Sequence, residues 1–325
     1  MSASDLVVVF GGSGFIGKQV VRALAKRGYR VRIPMRRPHL GAELRVMGDV
    51  GQVQLVQANV RFPQSIDAAL EDADAVVNLV STMYEGGKQN FETLNVEAPK
   101  AIAEAAAKRG IKRIVQMSAL GAAPKGARYA RSKYQGERAV LDAAPTATIL
   151  RPSIVFGPED SFFNRFAQMA AMAPALPLIG GGKTKFQPIF VGDVADAVVA
   201  ALSQRDAQGR VYELGGPRTY TFKQLLQFIT AEIDRPRPFV PLPFFFAHPI
   251  GLITNWMFGL LPWDPPLTGD QVTMLKRDNV VGADPDARTI ADLGVAPLES
   301  VEAIVPSYLW RFRPYGQFQT KQNPA

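Results

Sequence analysis

Tyr129-Ala-Arg-Ser-Lys133 sets a phenol and an ammonium four residues apart, so both fall on one face if the segment is helical. An ammonium within a few ångströms favours the phenolate. That would draw the tyrosine below its usual value of about 10 and make it a usable acid or base. Ser118 closes the strand-like run Arg113 to Ser118. A hydroxyl at the carboxyl end of a parallel strand lies where open α/β sheets bind ligands, in position to orient a carbonyl. Ser118, Tyr129 and Lys133 form a candidate triad, although Tyr-x-x-x-Lys taken alone is also the spacing of an ordinary exposed helix pair.

The elements that must position these groups begin at the amino terminus. Leu6 to Phe10 is a short apolar, β-branched run, and Lys18 to Arg27 carries apolar residues at helical spacing. Gly11, Gly14 and Gly17 join them. A strand feeding a helix through such a turn offers unpaired N–H groups and a positive dipole end, and missing side chains let a pyrophosphate approach the backbone. The expected ligand is a dinucleotide, contacted by Gly11, Ser13, Gly14, Phe15, Ile16 and Gly17. The alternative is a plain tight turn. The second strand, Arg30 to Met35, ends in Arg36-Arg37-Pro38, where an NAD-selective site would place a carboxylate; the nearest downstream acid is Glu43. Two guanidiniums there suit the 2′-phosphate of NADP, so NADPH is expected, against the alternative of a solvated basic loop.

Further strand-like runs at Val53 to Val60, Ala75 to Val80, Arg113 to Ser118 and Ala147 to Arg151 alternate with helical stretches at Ser65 to Leu70, Asn90 to Arg109 and Arg131 to Ala143. That alternation predicts an α/β fold, a doubly wound parallel sheet of Rossmann type with a smaller mixed C-terminal lobe. Beyond Pro152 the rhythm breaks, with one further strand expected at Arg210 to Leu214 and one helix at Phe222 to Ile233. The expected division is a dinucleotide-binding domain over 1–156, a substrate-side or docking lobe over 157–315 interleaved with the sheet edge, and a polar tail over 316–325.

The 325 residues, 47% hydrophobic, carry a formal charge of +8, which suits phosphates, anionic lipid or acidic protein surfaces. The basic residues are dispersed and no nucleic-acid motif stands out, so nucleic acid is not an expected partner. There is no cysteine and there are only two histidines, His39 and His248, which excludes thiolate chemistry and makes a metal centre unexpected. Met1 to Asp5 runs straight into the first strand, leaving no room for a targeting peptide. The expected location is the cytoplasm of a bacterium, or an organelle if a presequence has been removed.

The order of glycine turn, strand-end serine and Tyr-x-x-x-Lys resembles the short-chain dehydrogenase/reductase superfamily, in its extended or atypical branch, over residues 7 to 215. The resemblance implies a structural or relay role for Asn95, an adenine side lined by Asn59 and Val60, and a nicotinamide side lined by Leu79, Val80 and Ser81, with Lys133 on the nicotinamide ribose. It also implies that Arg151 to Pro158 leads to the substrate lobe and that Phe190 to Ala195 borders it. More narrowly, Tyr129 to Glu137 and Phe156 to Phe166, with the arginine pair and an apolar tract, resemble the dehydrogenase-like accessory subunits of respiratory complex I, the NADH:ubiquinone oxidoreductase. Those proteins hold NADPH as a structural cofactor near the junction of the hydrophilic and membrane arms. The resemblance implies complex I subunits as partners, a peripheral position on the cytoplasmic face of the bacterial inner membrane or the matrix face of the mitochondrial one, and no turnover by the isolated chain. Tyr129 and Lys133 are intact, so a free NADP-dependent reductase or epimerase remains the alternative, with a membrane-bound assembly or quinone-binding factor as a third class.

The apolar tract, Phe239 to Trp263, contains no formally charged residue with His248 neutral. Pro241, Pro243, Pro249 and Pro262 cut it, and Ile250 to Leu261 is too short for the roughly 20 residues of a spanning helix. Ile253, Trp256, Met257, Leu260 and Leu261 recur at helical spacing, which predicts an interfacial helix or a docking surface for a membrane subunit, with a hydrophobic lid on the small lobe as the alternative.

Overall fold

A first strand made of five consecutive apolar residues needs cover on both its faces, and Leu6–Phe10 (β1) lies in the middle of a sheet with all five residues buried. The computed structural model describes residues 5–86, 89–245 and 269–318. The chain divides into two compact units.

The first unit comprises the described parts of Met1–Pro152, Val191–Gly215 and Val281–Pro297. Its sheet contains Arg30–Met35 (β2), Val53–Gln57 (β3), Ala75–Asn78 (β4), Arg113–Met117 (β5) and Thr148–Pro152 (β6), joined by Val211–Leu214 and Arg288–Thr289. Across the sheet the order is 288–289, 211–214, β6, β5, β4, β1, β2, β3, and every pairing is parallel. The order reverses between β1 and β4. Ligands of open α/β sheets sit in the crevice at such a point, outside the carboxyl ends of the strands.

The helix Phe15–Lys26 (α1) buries Val20, Val21, Leu24 and Ala25 on one stripe. After Ala42–Arg45 (α2), Pro63–Ala69 (α3) and Ala98–Lys108 (α4), helix Arg128–Ala143 (α5) starts three residues before the run expected from the sequence, which places Tyr129 and Lys133 together in its first two turns. Asn90 to Arg109, expected as one helix, is a π-helical turn at Glu92–Glu97 followed by an α-helix at Ala98–Lys108. A π turn inserts an extra residue and commonly marks a functional site. A Cβ on Gly136 of α5 would lie 1.9 Å from the Asn95 carbonyl oxygen, so glycine is what lets α5 approach the π turn. After Pro152 the chain returns to this unit with a helix, Val191–Ser203, that the sequence did not reveal. Strand Arg288–Thr289 was likewise not expected.

The second unit comprises the described parts of Ser153–Phe190, Gly216–Val280 and Leu298–Ala325. Its core gathers Phe156, Phe163, Phe186 and Phe222 with Leu225, Ile229 and Leu309. Asp160 is buried at the start of the helix Phe163–Met172. Its carboxylate accepts from the Phe163 N–H at 2.6 Å and from the Tyr308 hydroxyl at 2.5 Å, so one side chain caps the helix and ties it to the C-terminal segment. The opening of the apolar tract, Phe239–Leu242, forms a strand parallel to Leu176–Ile179. Residues 246–263 of that tract, with the expected interfacial helix, and residues 319–325 of the tail lie outside the described residues. No helix of the described residues is long and apolar enough to cross a membrane.

Candidate functional site

The glycine turn takes its shape from three different demands. Gly11 has a φ of +80°, and a Cβ there would lie 3.0 Å from the Leu79 carbonyl carbon and 3.1 Å from the Val80 nitrogen. Gly17 is a packing glycine: its Cβ would fall 2.2 Å from the Gly11 oxygen and 2.6 Å from the Gly12 Cα. Gly14, the N-cap of α1, has only the Gly11 oxygen within reach, at 3.4 Å, and is exposed together with Ser13. The cradle is therefore closed on its protein side by glycine packing and open at Ser13 and Gly14, with the first-turn residues Phe15 and Ile16 half-buried behind them.

A cavity of about 460 Å³ extends from this opening and is lined by Ser13, Met35, Arg36, Arg37, Leu40, Gly41, Glu43 and Leu44. The structure thus brings the turn and the arginine pair to one place. Glu43 shares the cavity, but its carboxylate is engaged by Lys18 Nζ at 3.1 Å. No ion pair holds either guanidinium among the described residues. Asn59 lies at the carboxyl end of β3, where its side chain accepts from the Arg61 N–H at 3.1 Å. Val60 lines a second cavity of about 520 Å³ with Arg61, Pro63, Asn90, Thr93, Glu97, Ala98 and Ala101. Leu79, Val80 and Ser81 follow β4 directly, with the Leu79 N–H bonded to the Phe10 carbonyl at 2.9 Å and the Val80 N–H to Asn78 Oδ1 at 3.0 Å.

The candidate triad is more tightly enclosed than its sequence implies. Lys133 is 4% exposed, and its ammonium donates to Ser81 Oγ and to the Met117 carbonyl, each at 3.1 Å. Ser81 is the hub of the group. Its hydroxyl donates to Asn95 Oδ1 at 3.0 Å and also hydrogen-bonds the Tyr129 phenol. Asn95 in turn accepts from the Thr82 N–H at 3.0 Å and donates to Ser132 Oγ at 3.0 Å, whose hydroxyl donates to the Tyr129 carbonyl at 2.8 Å. This gives Asn95 a structural role read directly from its bonds.

Burial reverses the expected electrostatics. Loss of solvent pushes Tyr129 up to about 12, with the Ser81 hydroxyl pulling weakly the other way. The same loss pushes Lys133 down to about 8, opposed by the Glu137 carboxylate. The expectation of a tyrosine lowered by its lysine is therefore corrected: desolvation dominates over any stabilisation of the phenolate. Ser118 sits just past β5, its N–H bonded to the Leu150 carbonyl at 2.7 Å, and its Oγ is the buried side-chain oxygen without a partner among the described residues.

Three groups needed the structure to be found. Arg151, at the end of β6, donates from Nε and Nη2 to the two oxygens of Glu137 at 2.9 and 2.7 Å, and from Nη1 to Asp284 at 2.7 Å. Asn78 and Gln116 pair at 2.7 Å across neighbouring strand ends. Glu85, Phe91 and Arg128 cluster beside Tyr129. Only Glu137 had a local signal, since it continues the four-residue spacing of Tyr129 and Lys133.

The residues fit a nicotinamide dinucleotide on grounds of geometry: a glycine cradle open only at its outer lip, two guanidiniums beside it, and an orphaned buried hydroxyl that awaits a partner. A family model described as the NAD dependent epimerase/dehydratase family matches residues 7–215. The chain is 37% identical over 309 residues to the mitochondrial NADH dehydrogenase [ubiquinone] 1 alpha subcomplex subunit 9 of Arabidopsis thaliana, covering 91% of this chain and 75% of that protein. It is 36% identical over 311 residues to the subunit of the same description in Mus musculus, covering 93% and 81%. The crystal structure of Thermus thermophilus UDP-glucose 4-epimerase complexed with NAD superposes with a TM-score of 0.66 at 19% identity, over 95% of this chain and 99% of that one, and so shares the fold. The chain therefore belongs to the NAD dependent epimerase/dehydratase family and is a relative of the alpha subcomplex subunit 9 proteins.

Proposed function

We propose that this chain is an NADPH-binding accessory subunit of respiratory complex I, docked near the junction of the hydrophilic and membrane arms, whose nucleotide stabilises it rather than turning over. The observation that carries the reading is the likeness to the alpha subcomplex subunit 9 proteins over nine-tenths of the chain. The buried, neutral Tyr129 supports it, because a general acid serving a solvent-borne substrate needs access and a value near the working pH.

Arg36 and Arg37 would hold the 2′-phosphate, the amides opening α1 the pyrophosphate, and Ser118 the nicotinamide end through its unpaired hydroxyl. When bound, the nucleotide would supply a hydride donor. The chain's own contribution would be to orient it with Lys133 and Ser81, which are already bonded to each other at 3.1 Å, and to keep water away from Tyr129. A ligand held only by the folded state stabilises that state by mass action.

The partners are other complex I subunits and, through residues 239–263, a membrane surface or membrane subunit. Val240 and Phe245, at the described start of that stretch, are exposed. The location is peripheral, on the cytoplasmic face of a bacterial inner membrane or the matrix face of a mitochondrial one. Deleting the chain tests the reading: assembly of intact complex I falls, whereas normal assembly and activity without the chain would refute it. A free NADP-dependent reductase or epimerase is the second reading, favoured by the intact Ser118, Tyr129 and Lys133. Sustained NADPH oxidation by the purified chain with a carbonyl substrate would establish it.

A further inference from the structure

Tyr129 is 8% exposed, and what covers it is specific. The Phe91 ring meets the Tyr129 ring edge-on, with centroids 6.1 Å apart. Arg128 lies against the same ring, its Cζ 5.8 Å from the Phe91 centroid, and its Nη2 is 2.7 Å from Glu85 Oε2. The other oxygen of Glu85 accepts from the Phe91 backbone N–H at 3.2 Å. One carboxylate thus binds both the guanidinium and the backbone of the residue that carries the ring. At the near end of the segment, Asn95 fixes Thr82 through both its N–H and its carbonyl, at 3.0 and 3.1 Å. The Thr82 hydroxyl donates to the Tyr84 carbonyl at 2.6 Å. At the far end, Asn90 Oδ1 accepts from the Thr93 N–H at 2.7 Å.

We propose that Phe91, held by the Glu85–Arg128 pair, is the specificity-determining cover of this site: it excludes carbonyl substrates from Tyr129 while leaving the dinucleotide cradle open. The inference deepens the resident-nucleotide reading and rests on it, but its geometry does not depend on membership of a complex. The Phe91 ring is apolar and buried, so it keeps water from the side of the Tyr129 ring that it meets. The Glu85–Arg128 pair is half in solvent, with side chains 29% and 63% exposed, so it can be removed without opening a core cavity. The cover and the cradle are built from different segments. Glu85, Phe91 and Arg128 make the first, residues 11–17 and 36–37 the second. Loosening the cover is therefore expected to change access to Tyr129 and to leave NADPH affinity unchanged.

The probe is tetranitromethane, applied to the whole chain with NADPH bound, with nitration located by peptide mass spectrometry. Tyr315, 75% exposed, is the internal standard. In the unaltered chain Tyr129 nitrates far more slowly than Tyr315. In Glu85→Gln and Arg128→Gln the Tyr129 rate rises about tenfold or more, the order expected when a buried phenol regains water, while the Tyr315 rate stays constant. A Tyr129 rate equal to that of Tyr315 in the unaltered chain overturns the proposal. So does a rate in both variants within about twofold of the unaltered chain. Phe91→Leu, which keeps an apolar side chain, is the second check and gives the same gain. A small aldehyde then reads substrate access. In the opened variants its carbonyl carbon receives the hydride of NADPH and its oxygen the Tyr129 proton, giving alcohol and NADP⁺. Failure of the nitration result refutes the cover alone, whereas absence of the chain from complex I refutes the wider reading and leaves the nitration result standing.

Discussion

Replacing Glu137 with glutamine tests whether the candidate site is held together as described. Glu137 lies one helical turn beyond Lys133 on α5 and is 3% exposed, and it receives two bonds from Arg151, which is 9% exposed. Two unit charges about 4 Å apart attract by about 4 kcal/mol at the effective dielectric of a partly buried protein site. Breaking a buried pair from one side costs about 3–5 kcal/mol, because the remaining charge stays desolvated. Asp284 still receives a bond from Arg151 in the variant, and its side chain is 36% exposed, so the loss falls near the lower limit, at about 3 kcal/mol. Glu137→Met with Arg151→Met removes both charges and returns to within about 2 kcal/mol of the unaltered chain. The measurement is urea unfolding read by pulse proteolysis, following peptides from α5 and β6 so that the transition belongs to the first unit. A loss below about 1 kcal/mol for Glu137→Gln, or single losses that simply add in the double variant, would refute the argument.

Three other outcomes follow from the site. Arg36→Glu and Arg37→Glu each weaken NADPH by about 10–100-fold through the loss of charge-assisted bonds and leave NADH nearly unchanged, which calorimetric titration checks; equal losses for both nucleotides would show that the pair does not read the 2′-phosphate. Gly17→Ala destabilises the turn and abolishes binding, since its Cβ has 2.2 Å to the Gly11 oxygen, whereas Gly14→Ala, with 3.4 Å, keeps the melting temperature and loses affinity alone; comparable melting temperatures for the two would contradict the packing account. Lys133 falls from 10.5 to about 8 on folding, so between those values the unfolded chain holds a proton that the native chain lacks. Stability relative to Lys133→Met therefore rises with pH across that window, by about 3 kcal/mol in all, and stability–pH curves of the two proteins that run parallel would refute it.

The fold was legible where local pattern and tertiary demand agree. Leu6–Phe10 could be nothing but a buried strand, and the three glycines announced the turn that follows it. Helix Val191–Ser203 escaped because its residues are apolar nearly all round, as befits a helix with nine buried positions, so no amphipathic period marks it. Strand Arg288–Thr289 is too short to have a period. The π turn at Glu92–Glu97 depends on Gly136, about forty residues away in the chain, admitting the Asn95 carbonyl.

The site divides in the same way. Residue types at Ser118, Tyr129, Lys133, Arg36 and Arg37 carry the chemistry proposed for it and could be named from the sequence, because spacing and motif are local properties. The direction of the Tyr129 and Lys133 values was not legible, because burial is set by everything packed around them. Ser81 as a hub and Arg151 as the partner of Glu137 likewise join residues 52 and 14 positions apart. Asp284, 133 positions from Arg151, has no signal in the sequence at all.

Mass spectrometry of complex I purified from native membranes, with the nicotinamide nucleotides extracted and counted, decides whether this chain is a subunit with a resident nucleotide. The expected result is this chain in stoichiometric amount with an equal amount of NADPH that survives purification. Intact, active complex lacking the chain, or holding it without a nicotinamide nucleotide, would contradict it.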